Sequence, residues 1–491
     1  MLVLYGVGSR PPTGLGDSYG FSRLTPIHHM PKVRVSFRVL LVIALAVAGR
    51  GVPAGAAPPQ LASRVASSDT AGVRERIDSV TALATFDSAW RTVGLSLQSR
   101  NVGRLDWDGV RRELRPTAAR AGSNSVLRGI IDAMLRRVGE SHFAIMPSSD
   151  AEPGSGSGGR SPSTLGSAGL SVRFVEGRLA VWRVDSGGAA GRAGVRAGAV
   201  VERIDNLVLP ELEARDSLGL RRLTVLMRAT RALAGDPGTS VRIVVRTDAG
   251  ATREFVFSRD SVHGPVSRFG NLPPLPATFE SRRVTLSDAR CIGVMRFEYW
   301  LPPVIPAIDR AVDEVRDCAG VVIDLRGNLG GVAGMMMGVA GHFLNDERVL
   351  GTMRSRGEEM RFVANPRRAT AAGVAVVPYA GPVAIVVDGL SASTSEMFAA
   401  ALQGTKRARV FGERTAGQAL PAMATRLPNG DILMYVIADF VTPDGTRIEG
   451  RGVIPDESVP LRFEALRMGR DAALEAAVRW VERARPDTAS R

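Results

Sequence analysis

The sequence predicts a multi-domain α/β protein, with a small helical domain and a β-rich module ahead of a larger α/β domain. Three observations predict it. The chain has 491 residues, enough for about three domains. Apolar residues recur at helical spacing within residues 71–150, and a Gly/Ser-rich linker over 151–164 closes that stretch. From residue 283 onward the short apolar runs IGVMRF, GVVIDL, VAIVVDG and ARVFGE alternate with helical segments, the rhythm of a mainly parallel sheet.

The N-terminus reads as an export signal. Lys32, Arg34 and Arg38 precede the apolar run Val39–Ala48, and Ala54-Gly55-Ala56 supplies a small-x-small cleavage site. Residues 1–56 are therefore expected to be a leader, starting at Met1 or Met30, with the mature chain beginning near Ala57 in a periplasmic or extracellular compartment. The apolar run is too short to span a bilayer, so no integral span is expected after cleavage. The net charge of +14 is carried almost wholly by scattered arginines, since Lys32 and Lys406 are the only lysines. No dense basic run is present, which argues against a nucleic-acid partner. The two cysteines, Cys291 and Cys318, each precede an apolar strand-like run. They form a disulfide if those strands are neighbours, and are buried thiols otherwise.

In chain order, Ile77, Val80, Leu83 and Ala84, then Phe86, Trp90, Val93 and Leu97, then Val126–Val138 mark three helical stripes. Residues 165–259 alternate strands and turns. LSVRFVEGRLAVWRV is a hairpin about Glu176-Gly177, and a helix spans Leu209–Ala234. A strand–helix groove of this kind suits capture of an extended peptide, and Ser167, Ala168, Gly169 and Leu170 offer backbone N–H groups to a terminal carboxylate. A Pro-rich connector covers 260–282, the α/β domain 283–470, and a C-terminal helix and tail 471–491.

Val386–Gly417 carries the chemistry. A strand runs into the small-residue turn SASTS and then a helix, which leaves Ser393 at the mouth of a strand-to-helix turn. Free N–H groups of the helix point back at it, an arrangement that steadies an oxyanion in acyl transfer. Val321–Gly331, VVIDLRGNLGG, ends a second strand in a glycine turn, and no Lys-Ser/Thr follows to make it a phosphate loop.

A serine nucleophile needs a proton acceptor. Lys406 lies beyond the helix that follows Ser393, about 15–20 Å away at ~1.5 Å per residue. Of the histidines, His342 sits well along an apolar helix and His263 in a Gly/Pro-rich connector. His142 follows Ser141 at the end of the helical domain. Asp444, Glu449 and Asp456 are the carboxylates available to orient it, and the residues alone do not choose among them.

The pieces DWDGV, GESH, GGAAGRAGVRAGAVVERID, VVIDLRGNLGG, SASTSE, VFGERTAGQ and RIEGRGVIPD stand in the order of a known family. The chain resembles the S41 serine peptidases, the C-terminal processing (tail-specific) proteases with their tricorn-core and interphotoreceptor-retinoid-binding-protein-like relatives. The resemblance covers about Phe86 to Val459. It implies that 165–259 is a PDZ-like domain and 283–470 a ClpP/crotonase-like catalytic domain. It places the nucleophile at Ser393 and the oxyanion hole at Thr394, Gly330 and Gly331, with supporting roles for Glu396 and Thr415. The processing proteases hold their lysine base where this chain has Gln418. The tricorn-like branch instead uses a Ser-His pair and a late glutamate, which fall on Ser141, His142 and Glu449.

The implied reaction is hydrolysis of protein or peptide substrates through an acyl-enzyme, with no metal and no cofactor. The PDZ-like domain would bind substrate C-termini. Gln418 also keeps a second class in play: an inactive S41-like binding or scaffold protein.

Overall fold

The computed structural model describes residues 76–100, 105–147, 166–210, 220–247, 249–262, 266–267, 275–286 and 288–484. The expected leader 1–56, the linker 151–164 and His263 lie outside the described residues. No described helix is long and apolar enough to cross a membrane.

The front end holds three helices, each with an identifiable start. Helix α1 (Ser79–Ser99) begins at Asp78, whose carboxylate accepts the N–H groups of Val80 and Thr81, both at 2.9 Å. Its residues Ala82, Phe86, Ala89, Val93 and Leu97 recur every three or four positions and are all buried. Helix α2 (Trp107–Ala119) crosses it, tied by reciprocal bonds in which each indole of Trp90 and Trp107 donates to the other's carbonyl at 3.0 Å. Helix α3 (Asn124–Arg136) adds Leu127, Ile131 and Met134 to this core, which also takes in Leu427 and Leu433 from far along the chain. Strand β1 (Ala144–Met146) follows the turn that bears Ser141 and His142.

The β-rich module comprises β2 (Leu170–Val175), β3 (Arg178–Val184), β4 (Val200–Ile204), helix α4 (Leu220–Leu233), β5 (Ser240–Arg246) and β6 (Thr252–Ser258). Its strands form an antiparallel sheet in the order β2-β3-β4-β5-β6, and the short strand Leu207–Val208 pairs with β4. The predicted hairpin is present, with Glu176 (φ 49°) and Gly177 (φ 84°) in the left-handed conformation a tight turn needs. Val225, Leu226, Ala229 and Leu233 of α4 pack on Val172 and Ile243 of the sheet, and Leu390 from the turn before Ser393 enters the same core.

The third region contains β7 (Phe279–Thr285), β8 (Cys291–Phe297), α5 (Ile305–Glu314), β9 (Gly320–Asp324), α6 (Met335–Gly341), β10 (Val349–Ser355), β11 (Glu358–Val363) and β12 (Val383–Val387). It continues with α7 (Thr394–Gly404), β13 (Ala408–Gly412), β14 (Ala422–Arg426), β15 (Ile432–Val436), β16 (Asp439–Val441), β17 (Glu457–Ser458) and α8 (Ala472–Arg483). Its main sheet has the order β7-β8-β9-β12-β13-β17, parallel except for the β7–β8 pair. Every residue of β9 and β12 is buried, as continuous apolar runs covered on both faces should be. Val321, Ile323, Val383, Ile385 and Val387 face helices α5, α6 and α7. The alternate residues Val322, Ala384 and Val386 face α8. Two expected boundaries shift accordingly. Strand β7 starts at Phe279, inside the expected connector 260–282, and α8, expected as a separate terminal helix, covers one face of this sheet. Cys291 and Cys318 are joined in a disulfide that closes a loop between β8 and β9.

Two smaller sheets complete the region. One, in the order β1-β15-β14, sets Ala144 opposite Met434. The front end is thereby stitched to the back half by backbone pairing, across nearly three hundred residues of chain. The other sheet is β11-β10-β16.

Candidate active site

Strand β12 ends at Val387 and α7 begins at Thr394, so the six residues between them must reverse the chain. Asp388 organises that turn: Oδ1 accepts the N–H groups of Gly327 at 2.9 Å, Leu390 at 3.0 Å and Ser391 at 3.1 Å. Its Oδ2 meets Arg173 of the β-rich module at 2.5 Å, with both side chains almost fully buried. Ser393 closes the turn at φ 55° and ψ −120°, a conformation that L-residues avoid. Its N–H donates to the Gln418 carbonyl at 2.8 Å and to Glu396 Oε2 at 3.2 Å.

Glu396 is fully buried one turn into α7. Its carboxylate gathers Thr415 Oγ1 at 2.5 Å and the N–H groups of Gly417 at 2.7 Å and Gln418 at 2.8 Å. Burial pushes its pKa up to about 7, against the opposing pull of those donors. Thr415 Oγ1 in turn accepts the Val453 N–H at 2.6 Å. Glu396 and Thr415 therefore clamp the segment 415–418 onto the Ser393 turn. Gln418 contributes through its backbone, not its side chain, to holding the serine.

The glycine turn after β9 lies against the serine. A Cβ on Gly330 (φ 93°) would sit 2.6 Å from Ser393 Cβ and 3.0 Å from the Thr394 nitrogen, so only glycine fits. The Thr394 hydroxyl donates to the Gly331 carbonyl at 3.0 Å, and its N–H is the first of α7. One expected oxyanion donor needs correction. The Gly330 N–H is already given to Asn328 Oδ1 at 2.9 Å, because the buried Asn328 side chain bridges that turn to the Phe297 carbonyl.

The histidine arrives from the front end. Ser141 Oγ lies 2.7 Å from His142 Nδ1 and donates to Glu449 Oε2 at 3.0 Å, while the Ser141 N–H donates to Glu449 Oε1 at 3.0 Å. Since the serine proton goes to the carboxylate, Oγ faces the ring with lone pairs only. That places the imidazole proton on Nδ1 and leaves Nε2 as the acceptor. Burial pushes the His142 pKa down to about 3, so the ring stands neutral. Burial pushes the Glu449 carboxyl upward. Glu449 Oε2 also accepts the Ala419 N–H at 2.9 Å. The Ser393 N–H thus rests on the Gln418 carbonyl, and the next residue, Ala419, on the same Glu449 that holds Ser141 beside His142; among the described residues no hydrogen bond joins Ser393 Oγ to His142 Nε2. His142 (φ 62°), like Ser393, holds a strained backbone.

Glu140, next to Ser141, fixes this turn from behind. It meets Arg100 at 2.8 Å and Arg447 at 2.7 Å, and both arginines also reach Asp439. The other candidates are committed elsewhere. His342 is buried with Nε2 2.8 Å from Asp309. Lys406 (φ 57°) follows the C-cap Thr405 at the far end of α7. Asp444 bonds Thr442 and the Thr446 N–H, and Asp456 accepts the Val410 N–H at 2.7 Å. In the module, Gly169 (φ 70°) donates to Ser167 Oγ at 3.1 Å, Ala168 is buried with its carbonyl on the Ala190 N–H at 3.0 Å, and Leu170 pairs with Val184. One of the N–H groups expected to greet a carboxylate is therefore already used.

Sequence reasoning missed Asn328, Asp388, Ala419 and Glu140. Asp388, an Asp at a strand end before Gly, carries a turn signal that points to it. Ala419 acts through its N–H, so no side-chain pattern reveals it.

With that geometry in place, comparison with known proteins shows what the chain is similar to. Residues 292–459 match Peptidase family S41. The chain is 28% identical over 289 residues to the chloroplastic carboxyl-terminal-processing peptidase 2 of Arabidopsis thaliana, covering 58% of this chain and 50% of that protein. It is 24% identical over 274 residues to the carboxyl-terminal-processing protease of a Synechocystis strain, covering 55% and 59%. The chain thus spans about half the length of these curated relatives. In fold it is similar to the photosystem II D1 C-terminal processing protease, with a TM-score of 0.51 and 23% identity over 81% of this chain and 97% of that one. Mature CPAF gives 0.52 and 12% identity over 82% and 96%.

Proposed function

We propose that the protein is an exported serine endopeptidase that hydrolyses peptide bonds through an acyl-enzyme on Ser393. The observation that carries the reading is that one carboxylate, Glu449, anchors both halves: it accepts the N–H of Ala419, next to the Gln418 that holds the Ser393 N–H, and it holds Ser141 beside a neutral imidazole whose Nε2 is left as a proton acceptor. In this reading Nε2 takes the Ser393 proton as Oγ attacks the carbonyl carbon, and returns it to the leaving amine. Ser141 relays the charge of Glu449, which steadies the imidazolium. The Thr394 N–H, at the positive end of α7, would receive the oxyanion.

We further infer that residues 165–259 act as a PDZ-like substrate module, with the groove between β2 and α4 receiving an extended segment or C-terminus. Leu390 in the module core and the Arg173–Asp388 pair tie that groove to the serine turn, which supports coupling between substrate capture and catalysis. The test is cleavage of an unstructured protein by the full chain, compared with Ser393→Ala and His142→Ala. The reading predicts cleavage by the wild type and loss of it in both variants. Cleavage at the wild-type rate by Ser393→Ala refutes it, and a wild type that binds the substrate without cleaving it favours the inactive scaffold.

A further inference from the structure

Away from Ser393, a cleft of about 460 Å³ opens between the β-rich module and the main sheet. Trp182 and Arg183 of β3 form one wall, and Glu280 to Arg282 of β7 form the other. Five arginines line it against three carboxylates. The floor is neutral and rigid. Arg326 binds Asp324 and Asp471, each at 2.7 Å, and the guanidinium groups of Arg296 and Arg326 stand 5.1 and 5.0 Å from the Trp182 ring. At the rim Arg183, Arg282 and Arg470 are exposed; Arg470 is paired with Glu475 at 2.5 Å and Arg183 with Glu280, so the uncompensated positive charge there is Arg282. Arg282 has no ion-pair or hydrogen-bond partner among the described residues. Arg183 meets only Glu280, at 3.1 Å, in a solvent-exposed pair that contributes little.

The wall that bears Arg282 is a sheet edge. Strand β7 pairs with β8 on one side, and no described strand pairs with it on the other. Glu280, Ser281, Arg282 and Arg283 are all exposed along it. An open edge is a template for one more strand, and its side chains decide which strand is admitted. A second copy of this chain pairing antiparallel about Arg282 and Arg283 would set arginine opposite arginine, which is repulsive.

We propose that the β7 edge and its cleft dock an extended acidic peptide by strand addition. Its backbone continues the sheet, and carboxylates at alternate positions, about 7 Å apart, face the rim arginines. Displacing Glu280 from Arg183 costs little because that pair is weak. The site is separate from the module groove and from Ser393, and it stands whether or not the chain cleaves peptides.

The test uses the full chain carrying Ser393→Ala, so that no probe is cut. The probe is a fluorescein-labelled, end-blocked octapeptide, acetyl-Thr-Glu-Val-Glu-Thr-Glu-Val-Glu-amide, and its counterpart has lysine at every glutamate. Anisotropy should show the acidic peptide binding at least tenfold more tightly than the lysine peptide, and more weakly as salt rises. Arg282→Gln with Arg470→Gln should cost at least tenfold in affinity, with an unchanged thermal midpoint showing that the fold is intact. Bound peptide should slow amide exchange across Phe279–Thr285. Absence of binding, equal affinity for the two peptides, an unaffected double variant, or binding without protection of that strand each overturns the proposal.

Discussion

The two halves of the candidate site are built differently. Ser393 sits between two wholly buried strands and a buried helix turn, and its neighbours Glu396, Asn328 and Asp388 are locked inside the largest core of the molecule. Ser141 and His142 lie on the turn just before a short three-residue strand of half-buried residues, at the margin of a three-stranded sheet. The serine is positioned by packing, while the histidine is positioned by a few polar contacts: Glu449, Glu140 and the arginines behind it. Packing is hard to loosen without unfolding, whereas polar contacts at a margin respond to single changes. The account therefore expects the serine to be insensitive to distant substitutions and the histidine to be sensitive to them.

The largest effect should follow removal of the imidazole itself. His142→Ala should lower kcat by about a thousandfold with little change in stability, since general-base catalysis contributes about 10²–10⁴. Rate assays beside thermal unfolding check this, and a loss under tenfold would break the proposed role. Gly330→Ala probes the rigid half. The new Cβ meets Ser393 Cβ at 2.6 Å at a positive φ, so activity should fall about a hundredfold together with about 2–4 kcal/mol of stability. A substitution that spares stability would mean that the serine turn is softer than its packing implies.

Glu140→Gln sharpens the contrast from the other side. It removes one of the two carboxylate partners of Arg100, whose side chain is wholly buried, and it loosens the turn that carries Ser141 and His142. Activity should fall about tenfold for a stability loss of about 1–2 kcal/mol. The ratio of those losses, measured against Gly330→Ala, tells positioning from general destabilisation.

The smallest effect is a pH slope. Burial raises Glu396 from 4.5 in the unfolded chain to about 7 in the fold, so between those values the folded state holds a proton that the unfolded state has released. The stability this group contributes is complete below about pH 4.5 and is lost as pH rises towards 7. The wild type should therefore lose stability relative to Glu396→Gln across that window, as read from denaturant midpoints at several pH values. A difference that grows in the opposite direction would contradict the burial argument.

How far the sequence carried these features depends on how local each one is. Strands β9 and β12 were legible because GVVIDL and VAIVVDG are continuous apolar runs, which only a doubly covered sheet can bury. The Ser393 turn was legible because strand, small residues and helix follow one another directly. The stitching of β1 to β15 was not, since each strand looks ordinary and the pairing joins distant parts of the chain. The residues alone left the choice among Asp444, Glu449 and Asp456 open for the same reason, and the family resemblance pointed to Glu449, which the fold brings to Ser141. Gln418 reads from its side chain as a missing base, whereas its carbonyl holds the serine, and backbone roles leave no trace in residue type. Gly330 was expected to offer its N–H, and the amide of Asn328, two residues earlier, takes it.

The most direct measurement is active-site labelling with a fluorophosphonate, followed by mapping of the modified peptide. The account predicts one label, on Ser393, formed at least a hundredfold more slowly in His142→Ala and absent in Ser393→Ala. Labelling on another residue, or labelling of His142→Ala at the wild-type rate, would contradict the pairing of this serine with this histidine.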